Sequence, residues 1–277
     1  MQPLTKNQKE LAYGLLVRGK IRVVARPLYL VLLNLELAAH RLTDSFFKPG
    51  EAHDVTALIK TFERPERCRA LIRSIRKFYP NIPIVVVDDS RIPKRFSGAI
   101  THTMQYDCGV SAGRREGLNL VSTKYVINLD DDYVFFRHTN LPRVLSILNR
   151  IPEIDIIGGV HVDLPLYIKQ DSKNGALCNT ASKSLRPQGS RAGNLEVCDK
   201  VANFFVGRTE KIISVNWDSA VRRLDHADFF TRCKGKLVSV TDPSFHILHV
   251  RNPYEFSYRK IRYDLQQDLA YLEEKYS

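Results

Sequence analysis

The sequence predicts an α/β domain built on a central, mostly parallel β-sheet flanked by helices, with a helical extension at its N-terminus. Three observations carry that expectation. Between residues 55 and 136, apolar β-type runs alternate with segments of helical periodicity, the pattern of parallel strands joined by crossover helices. Two of the runs, IVVV (84–87) and YVINL (125–129), are almost wholly apolar, as strands buried on both faces of a parallel sheet should be. Both runs end in carboxylates, Asp88-Asp89-Ser90 and Asp130-Asp131-Asp132, at the strand ends where open α/β sheets bind ligands.

Residues 1–50 precede this alternation and differ from it. Lys6, Lys9, Arg18, Lys20, Arg22 and Arg26 interleave with Leu11, Leu15, Leu16, Val17, Val23 and Val24, and LYLVLLNLELAAHRL follows. Two helices fit, one of them basic and amphipathic. They pack as a hairpin on the main domain, or the basic one associates peripherally with an anionic membrane. The polar stretch KPGEAHD (48–54) marks a boundary, giving an N-terminal helical, basic extension (1–50) and one α/β domain (51–277).

VTALIKTF (55–62) predicts the first strand of that domain. A helix begins at Glu63–Pro65, since proline is tolerated in a first turn, and places Leu71, Ile72, Ile75 and Phe78 on one face. Pro80–Pro83 breaks it before the strand IVVVDDS (84–90). A short extended piece, AITHTM, follows, and Ser111 caps a helix that leads into the strand ending at the aspartate triplet. Asn140–Asn149 predicts an amphipathic helix and DIIGGVHVDL (155–164) a strand. Residues 167–200 are polar enough to read as a functional loop or lid. VANFFVGRTEKI (201–212) recovers apolar character, and residues 217–236 place His226 and Asp228 before an aromatic pair. LVSVTDPSFHILHVRN (237–252) predicts a long strand or strand pair carrying His246 and His249, and 253–277 a closing helix.

The composition, 44% hydrophobic and 26% charged over 277 residues, is that of an ordinary globular protein. A net charge of +12 points to an anionic partner. Nucleic acid is excluded by the lack of any recognised module, zinc pattern or aromatic-interleaved basic repeat. Neither GxGxxG nor GxxxxGK[ST] occurs, which excludes a dinucleotide dehydrogenase and a Walker-type NTPase. The five cysteines lack CxxC spacing and are expected as free thiols, with Cys178 and Cys198 able to pair in an oxidising compartment. No signal peptide is evident, and the longest apolar stretch, Pro27–Ala39, is interrupted by Asn34 and Glu36 and too short to span a bilayer.

The triplet Asp130–Asp132 is the strongest chemical signal. Three carboxylates at the end of a buried strand repel one another, and their oxygens suit a hard divalent cation, Mg²⁺ or Mn²⁺. Aspartate runs also serve as solvated turns or helix caps, but polar turns are seldom bracketed by runs as apolar as YVINL and YVFF.

Taken in order, KTFERPER, VVDDS, AGRREGLN and KYVINLDDD form a series that resembles a GT-A glycosyltransferase domain, the nucleotide-diphospho-sugar transferase fold. Within that group the chain is most similar to the ganglioside β-1,4-N-acetylgalactosaminyltransferases. The resemblance runs from about residue 55 to about 250, with later markers in VANFFVGRTEKI, Trp217-Asp218 and Asp228-Phe229-Phe230. It implies an inverting, metal-dependent transfer of an N-acetylhexosamine, such as N-acetylgalactosamine, from a UDP-sugar to a glycan or glycolipid acceptor. It also implies roles for residues. Asp89 would read the uracil or ribose, Thr61 and Arg64 would help form the nucleotide pocket, and Arg114 or Arg115 would face the diphosphate. Asp130 would sit near the ribose, with Asp131 beside it in the pocket or only structural. Asp132 would bind Mn²⁺ or Mg²⁺, with His249 or His246 completing the metal shell. Asp228, where the ganglioside enzymes carry glutamate, would be the catalytic base. Family members of the animal Golgi lumen have a membrane-spanning anchor. None being legible here, a cytoplasmic enzyme, peripheral at the inner face of a membrane, is expected. Two other functions compete: a sugar-phosphate nucleotidyltransferase, whose glycine-rich basic signature is missing, and an inactive glycan-binding GT-A domain.

Overall fold

The computed structural model describes residues 17, 19–47 and 50–277. The first of the two expected N-terminal helices lies outside them. The second is α1 (Arg22–Asp44), 23 residues long. Then follow β1 (Val55–Thr61), α2 (Pro65–Phe78), β2 (Ile84–Asp88), β3 (Ile100–Thr103), α3 (Val110–Leu118), β4 (Tyr125–Asp130), β5 (Tyr133–Val134) and α4 (Leu141–Arg150). The second half of the chain forms β6 (Ile156–Asp163), β7 (Ile168–Gln170), β8 (Arg191–Ala192), β9 (Leu195–Val197), β10 (Phe205–Arg208), α5 (Thr209–Val215) and α6 (Asp225–Cys233). It ends with β11 (Ser239–His249), α7 (Phe256–Arg262) and α8 (Gln266–Tyr276).

One mixed sheet organises these elements in the order β3-β2-β1-β4-β10-β6-β11-β9-β8. β1 pairs in parallel with β2 and β4, and β6 with β11, while β10 is antiparallel to both β4 and β6. Because β10 reverses between them, β4 and β6 run the same way. The carboxyl ends of β1, β4, β6 and β11 therefore share one edge, which brings Thr61, Asp130, Asp163 and His249 together from four places in the chain.

The period-two alternation of β1 sorts the core onto two faces. Val55, Ala57 and Ile59 join Leu71 and Ile75 of α2 and Val144 and Leu148 of α4 on one face. Leu58, with Val85 and Val87 of β2, joins Leu118 of α3 and Trp217, Phe229 and Phe230 around α6 on the other. α3 lies close to the sheet because Gly117 leaves room: a Cβ there would come within 2.4 Å of Leu58. It starts at Gly109 rather than on a Ser111 cap. Gly109 takes φ +101°, and a Cβ would sit 2.8 Å from the Arg222 Cα.

The expected polar loop 167–200 contains three short strands, β7 to β9, that extend the sheet. The closing segment forms two helices. The second, α8, is pinned by the buried Asp268, which accepts the backbone N–H groups of Arg222, Arg223 and Leu224 just before α6. All five cysteines are free thiols.

α1 docks one face only. Leu33 is buried, with Tyr29 and Leu37 packed beside it against Phe136, Leu164, Leu248 and Val250. The Tyr29 hydroxyl donates to the Arg251 carbonyl at 2.7 Å. Val23, Val24, Leu28, Val31, Leu32 and Leu35 face outward. The sequence-based expectation that no segment is long enough to span a bilayer does not hold. The helix extends past Pro27–Ala39 at both ends, and its most apolar window has mean hydropathy 1.3, with 6% of the window buried. By length and composition alone it suffices to cross a membrane.

Candidate active site

At the shared strand edge a cavity of about 550 Å³ opens over Asp130, Asp131 and Asp132. Its floor is a chain of charges. The Arg64 guanidinium, in the turn after β1, pairs with Asp131 and donates to the Asp132 Oδ2 at 2.9 Å. It also lies 3.9 Å from the ring centre of Tyr258 on α7. The Thr61 hydroxyl donates to the other Asp131 oxygen at 2.7 Å. Burial pushes the Asp131 carboxyl up to about 6, whereas Arg64 and then His249 outweigh burial at Asp132 and hold it well below the ordinary carboxylate range. Of the two, Asp132 is the stronger acid and ionises first.

Across from the triplet, His249 at the end of β11 places Nε2 3.5 Å from the Asp132 Oδ2 and donates from Nδ1 to Asp163 at 2.7 Å. Burial opposes a charge on this ring, but Asp132 and Asp163 together lift its pKa to about 10. His246, three residues earlier, stands away from the cavity near His138, at 6.2 Å between ring centres. Of the two histidines offered by the sequence, His249 is the one that reaches the triplet.

A divalent cation fits this donor set. Asp132 and His249 converge, and the Nδ1–H of His249 is held by a carboxylate, the outer-shell arrangement that orients metal-binding histidines. His161, Asp163 and His249 offer ligand atoms that all lie within 4.8 Å of one another.

Several residues singled out from sequence lie elsewhere. Asp89 is buried behind the cavity, paired with Lys60 and accepting the Gly109 N–H at 3.1 Å. Arg114 is completely buried, pairing with Asp130 on one side and Asp225 on the other. Arg115 is exposed and reaches the Trp217 carbonyl at 3.3 Å. Neither arginine lines the cavity. Asp228 is also outside it. The Arg232 Nε (2.9 Å), the Lys275 Nζ (2.6 Å) and the Tyr276 hydroxyl (2.8 Å) all donate to it. A carboxylate held by three donors, two of them on α8, is engaged in docking the C-terminal helix.

One turn earlier on α6, Asp225 does line the cavity, and its buried Oδ1 has no partner among the described residues. His226 beside it bonds the Val201 carbonyl through Nε2 at 2.6 Å, and burial lowers its pKa to about 4, which keeps it neutral. The sequence reading also missed His161, Asp163 and the basic side chains Arg251, Arg259 and Arg262, which line the cavity. The H-x-D spacing of His161 and Asp163 was the available signal, since alternate strand residues share a face.

A second cavity, of about 680 Å³, lies between α1 and α2. Leu30, Leu33 and Leu37 form its apolar wall, Arg73 and Lys77 lie on the α2 side, and it reaches Asp131 and Asp132 from behind.

Residues 56–214 match the model of glycosyl transferase family 2. The chain belongs to that family. It is 34% identical over 203 residues to β-1,4 N-acetylgalactosaminyltransferase 1 of Rattus norvegicus and of Homo sapiens, covering 68% of this chain and 38% of each relative. To β-1,4 N-acetylgalactosaminyltransferase 2 of Mus musculus it is 33% identical over 206 residues, covering 72% of this chain and 40% of that one. The chain thus spans about two fifths of the length of these curated relatives. Among solved structures, S. aureus TarS superposes with TM-score 0.54 at 11% identity, covering 71% of this chain and 60% of that one. TarS in complex with UDP superposes with TM-score 0.54 at 13% identity over 80% of this chain and 69% of that one. The family 2 domain here has the GT-A fold expected from the sequence.

Proposed function

We propose that this family 2 domain is an inverting glycosyltransferase that moves N-acetylgalactosamine, or a related N-acetylhexosamine, from UDP to a glycan or glycolipid. The observation that carries this reading is the meeting of Asp132 and His249 on the floor of the cavity. The names of its relatives favour the N-acetylgalactosaminyl group and argue against a nucleotidyltransferase. Asp132 and His249 would hold a divalent cation, which would supply neutralisation of the charge that grows on the UDP leaving group. Arg251, Arg259 and Arg262 line the same cavity and suit a diphosphate, the role that sequence alone gave to Arg114 or Arg115. Phe62, in the cavity wall with Tyr106 5.7 Å behind it, offers a face for the uracil.

The base is better sought at Asp225 than at Asp228. Asp225 lines the cavity, its buried Oδ1 has no partner among the described residues, and a single carboxylate there can take the acceptor hydroxyl's proton as the new bond forms on the face opposite UDP. Arg114, shared with Asp130, keeps Asp225 oriented. The apolar cavity behind the triplet suits the lipid portion of a glycolipid acceptor. The outward apolar face of α1, with Arg22 and Arg26 exposed near its start, suits an anionic membrane surface. The partition into an extension over 1–50 and a catalytic domain over 51–277 accords with α1 docking by one face.

A panel of UDP-sugars with Mn²⁺, read by thermal shift and UDP release, tests this. Stabilisation and release with UDP-N-acetylgalactosamine above UDP-glucose are expected. No shift with any UDP-sugar in the presence of Mn²⁺ refutes the proposal.

A further inference from the structure

We infer that His161 is a direct ligand of the cation that Asp132 and His249 would hold, so that the site presents two imidazoles and selects Mn²⁺ or Co²⁺ over Mg²⁺. This rests on the metal reading of the preceding subsection and goes beyond it, in the ligand set and in the ion chosen.

The sheet register supplies the geometry. β6 and β11 run in parallel with His249 opposite Asp163 and Ile247 opposite His161. Partners in a parallel pair share a face, and so do residues two apart on a strand, so His161, Asp163 and His249 project together. β5 then pairs with β11 with Tyr133 opposite His249, and the Oδ2 of Asp132, just before it, lies 3.5 Å from the His249 Nε2. The His161 and His249 rings lie 5.3 Å apart between centres, and Tyr133 stacks on His161 at 6.2 Å.

His161 is also chemically incomplete. Its buried Nδ1 has no hydrogen-bond partner among the described residues. A bare imidazole nitrogen buried beside an aspartate and a second histidine is costly as a mere packing residue. An unpaired ring nitrogen of this kind is the donor atom that a metal-binding imidazole presents. Gln170 of β7 donates to the Asp163 Oδ2 at 2.9 Å and so fixes the carboxylate that holds the His249 Nδ1–H. Imidazole nitrogen favours Mn²⁺ and Co²⁺ more than it favours Mg²⁺, which prefers oxygen and water.

The test is Mn²⁺ binding to the whole protein with UDP present, followed by electron paramagnetic resonance and by electron spin echo modulation from imidazole nitrogen. The wild type should show two coordinated imidazoles, and Mg²⁺ should displace the Mn²⁺ poorly. In His161→Phe, which keeps an aromatic ring against Tyr133, one imidazole signal should vanish. Mn²⁺ affinity should fall about tenfold or more, and Mg²⁺ should then compete effectively. His246→Ala, off the site, should change none of these. Two outcomes overturn the inference: unchanged affinity and nitrogen modulation in a folded His161→Phe protein, or Mg²⁺ binding as tightly as Mn²⁺ in the wild type. Asp132→Ala separates the two levels of argument. If it abolishes Mn²⁺ binding while His161→Phe does not, only the His161 ligand fails. If neither wild type nor variants bind Mn²⁺, the metal reading fails with it.

Discussion

The two aspartates of α6 give the sharpest prediction, because they lie one turn apart and the structure gives them opposite burdens. Asp225→Asn keeps the side-chain shape and an oxygen for Arg114, which retains Asp130 as its ionic partner. Losing a general base lowers turnover about 10²- to 10⁴-fold, which is about 3–5 kcal/mol on the barrier. Asp225→Asn should therefore lose UDP release from UDP-N-acetylgalactosamine by at least a hundredfold while binding UDP normally. Asp228→Asn removes the charge that three donors share, in a carboxylate that is 1% exposed. Breaking a buried ion pair costs about 3–5 kcal/mol. In a domain of this size that is roughly a 10 °C fall in Tm, with kcat of the folded fraction within a few fold of wild type. Calorimetric UDP binding, initial rates and thermal unfolding on both variants decide the matter. If Asp228→Asn abolishes turnover at an unchanged Tm while Asp225→Asn turns over normally, the assignment of roles is refuted.

Other consequences are as direct. Gly109→Ala places a Cβ 2.8 Å from the Arg222 Cα at a φ of +101°, so it should destabilise by at least about 2 kcal/mol, read as a lowered urea midpoint. His226 has a folded pKa near 4 against an ordinary value near 6.5. Between those values the unfolded chain holds a proton that the folded one does not, so stability falls as pH drops from about 6.5 to 4, by up to about 3 kcal/mol. His226→Gln should flatten that acid limb in urea titrations. Stripping divalent ions with EDTA should weaken UDP binding at least tenfold, restored by added Mn²⁺, and isothermal calorimetry checks it. The protein should co-sediment with vesicles containing phosphatidylglycerol more than with phosphatidylcholine alone. Leu28→Glu with Leu35→Glu should abolish the difference.

Much of the fold was legible because its local signals agree with its long-range ones. β1, β2 and β4 are nearly continuous apolar runs and all three are buried end to end, apart from the last residue of β4. Pro65 starts α2 and Asn140 caps α4 by accepting the Arg143 N–H at 3.1 Å, both as their residue types suggest. The start of α3 was misread, since a serine cap is a local cue whereas Gly109 is required by Arg222, more than a hundred residues away. The strands β7 to β9 were hidden for a related reason. They are two or three residues long, β8 and β9 at one edge of the sheet and β7 against one end of β6, so no periodicity develops within them.

The site was half legible, and the division has a physical basis. Motif order singled out Thr61, Arg64 and the triplet, which line the cavity, because each lies within a short motif of its own, KTFER or LDDD. The family resemblance gave Asp89, Arg114 and Asp228 roles toward the substrate, and the structure buries each against charged partners, which a sequence does not show. Arg114 is completely buried between Asp130 and Asp225, with Trp217 5.8 Å from its guanidinium carbon. That placement makes Arg114 the tie that sets Asp225 against the end of β4. Burying a guanidinium so deeply is tolerable only with both carboxylates present, so Arg114→Lys, which cannot reproduce the forked geometry, should weaken turnover through Asp225 while leaving UDP affinity largely intact. A matched loss of UDP affinity and turnover would instead put Arg114 at the diphosphate, where the sequence alone first placed it.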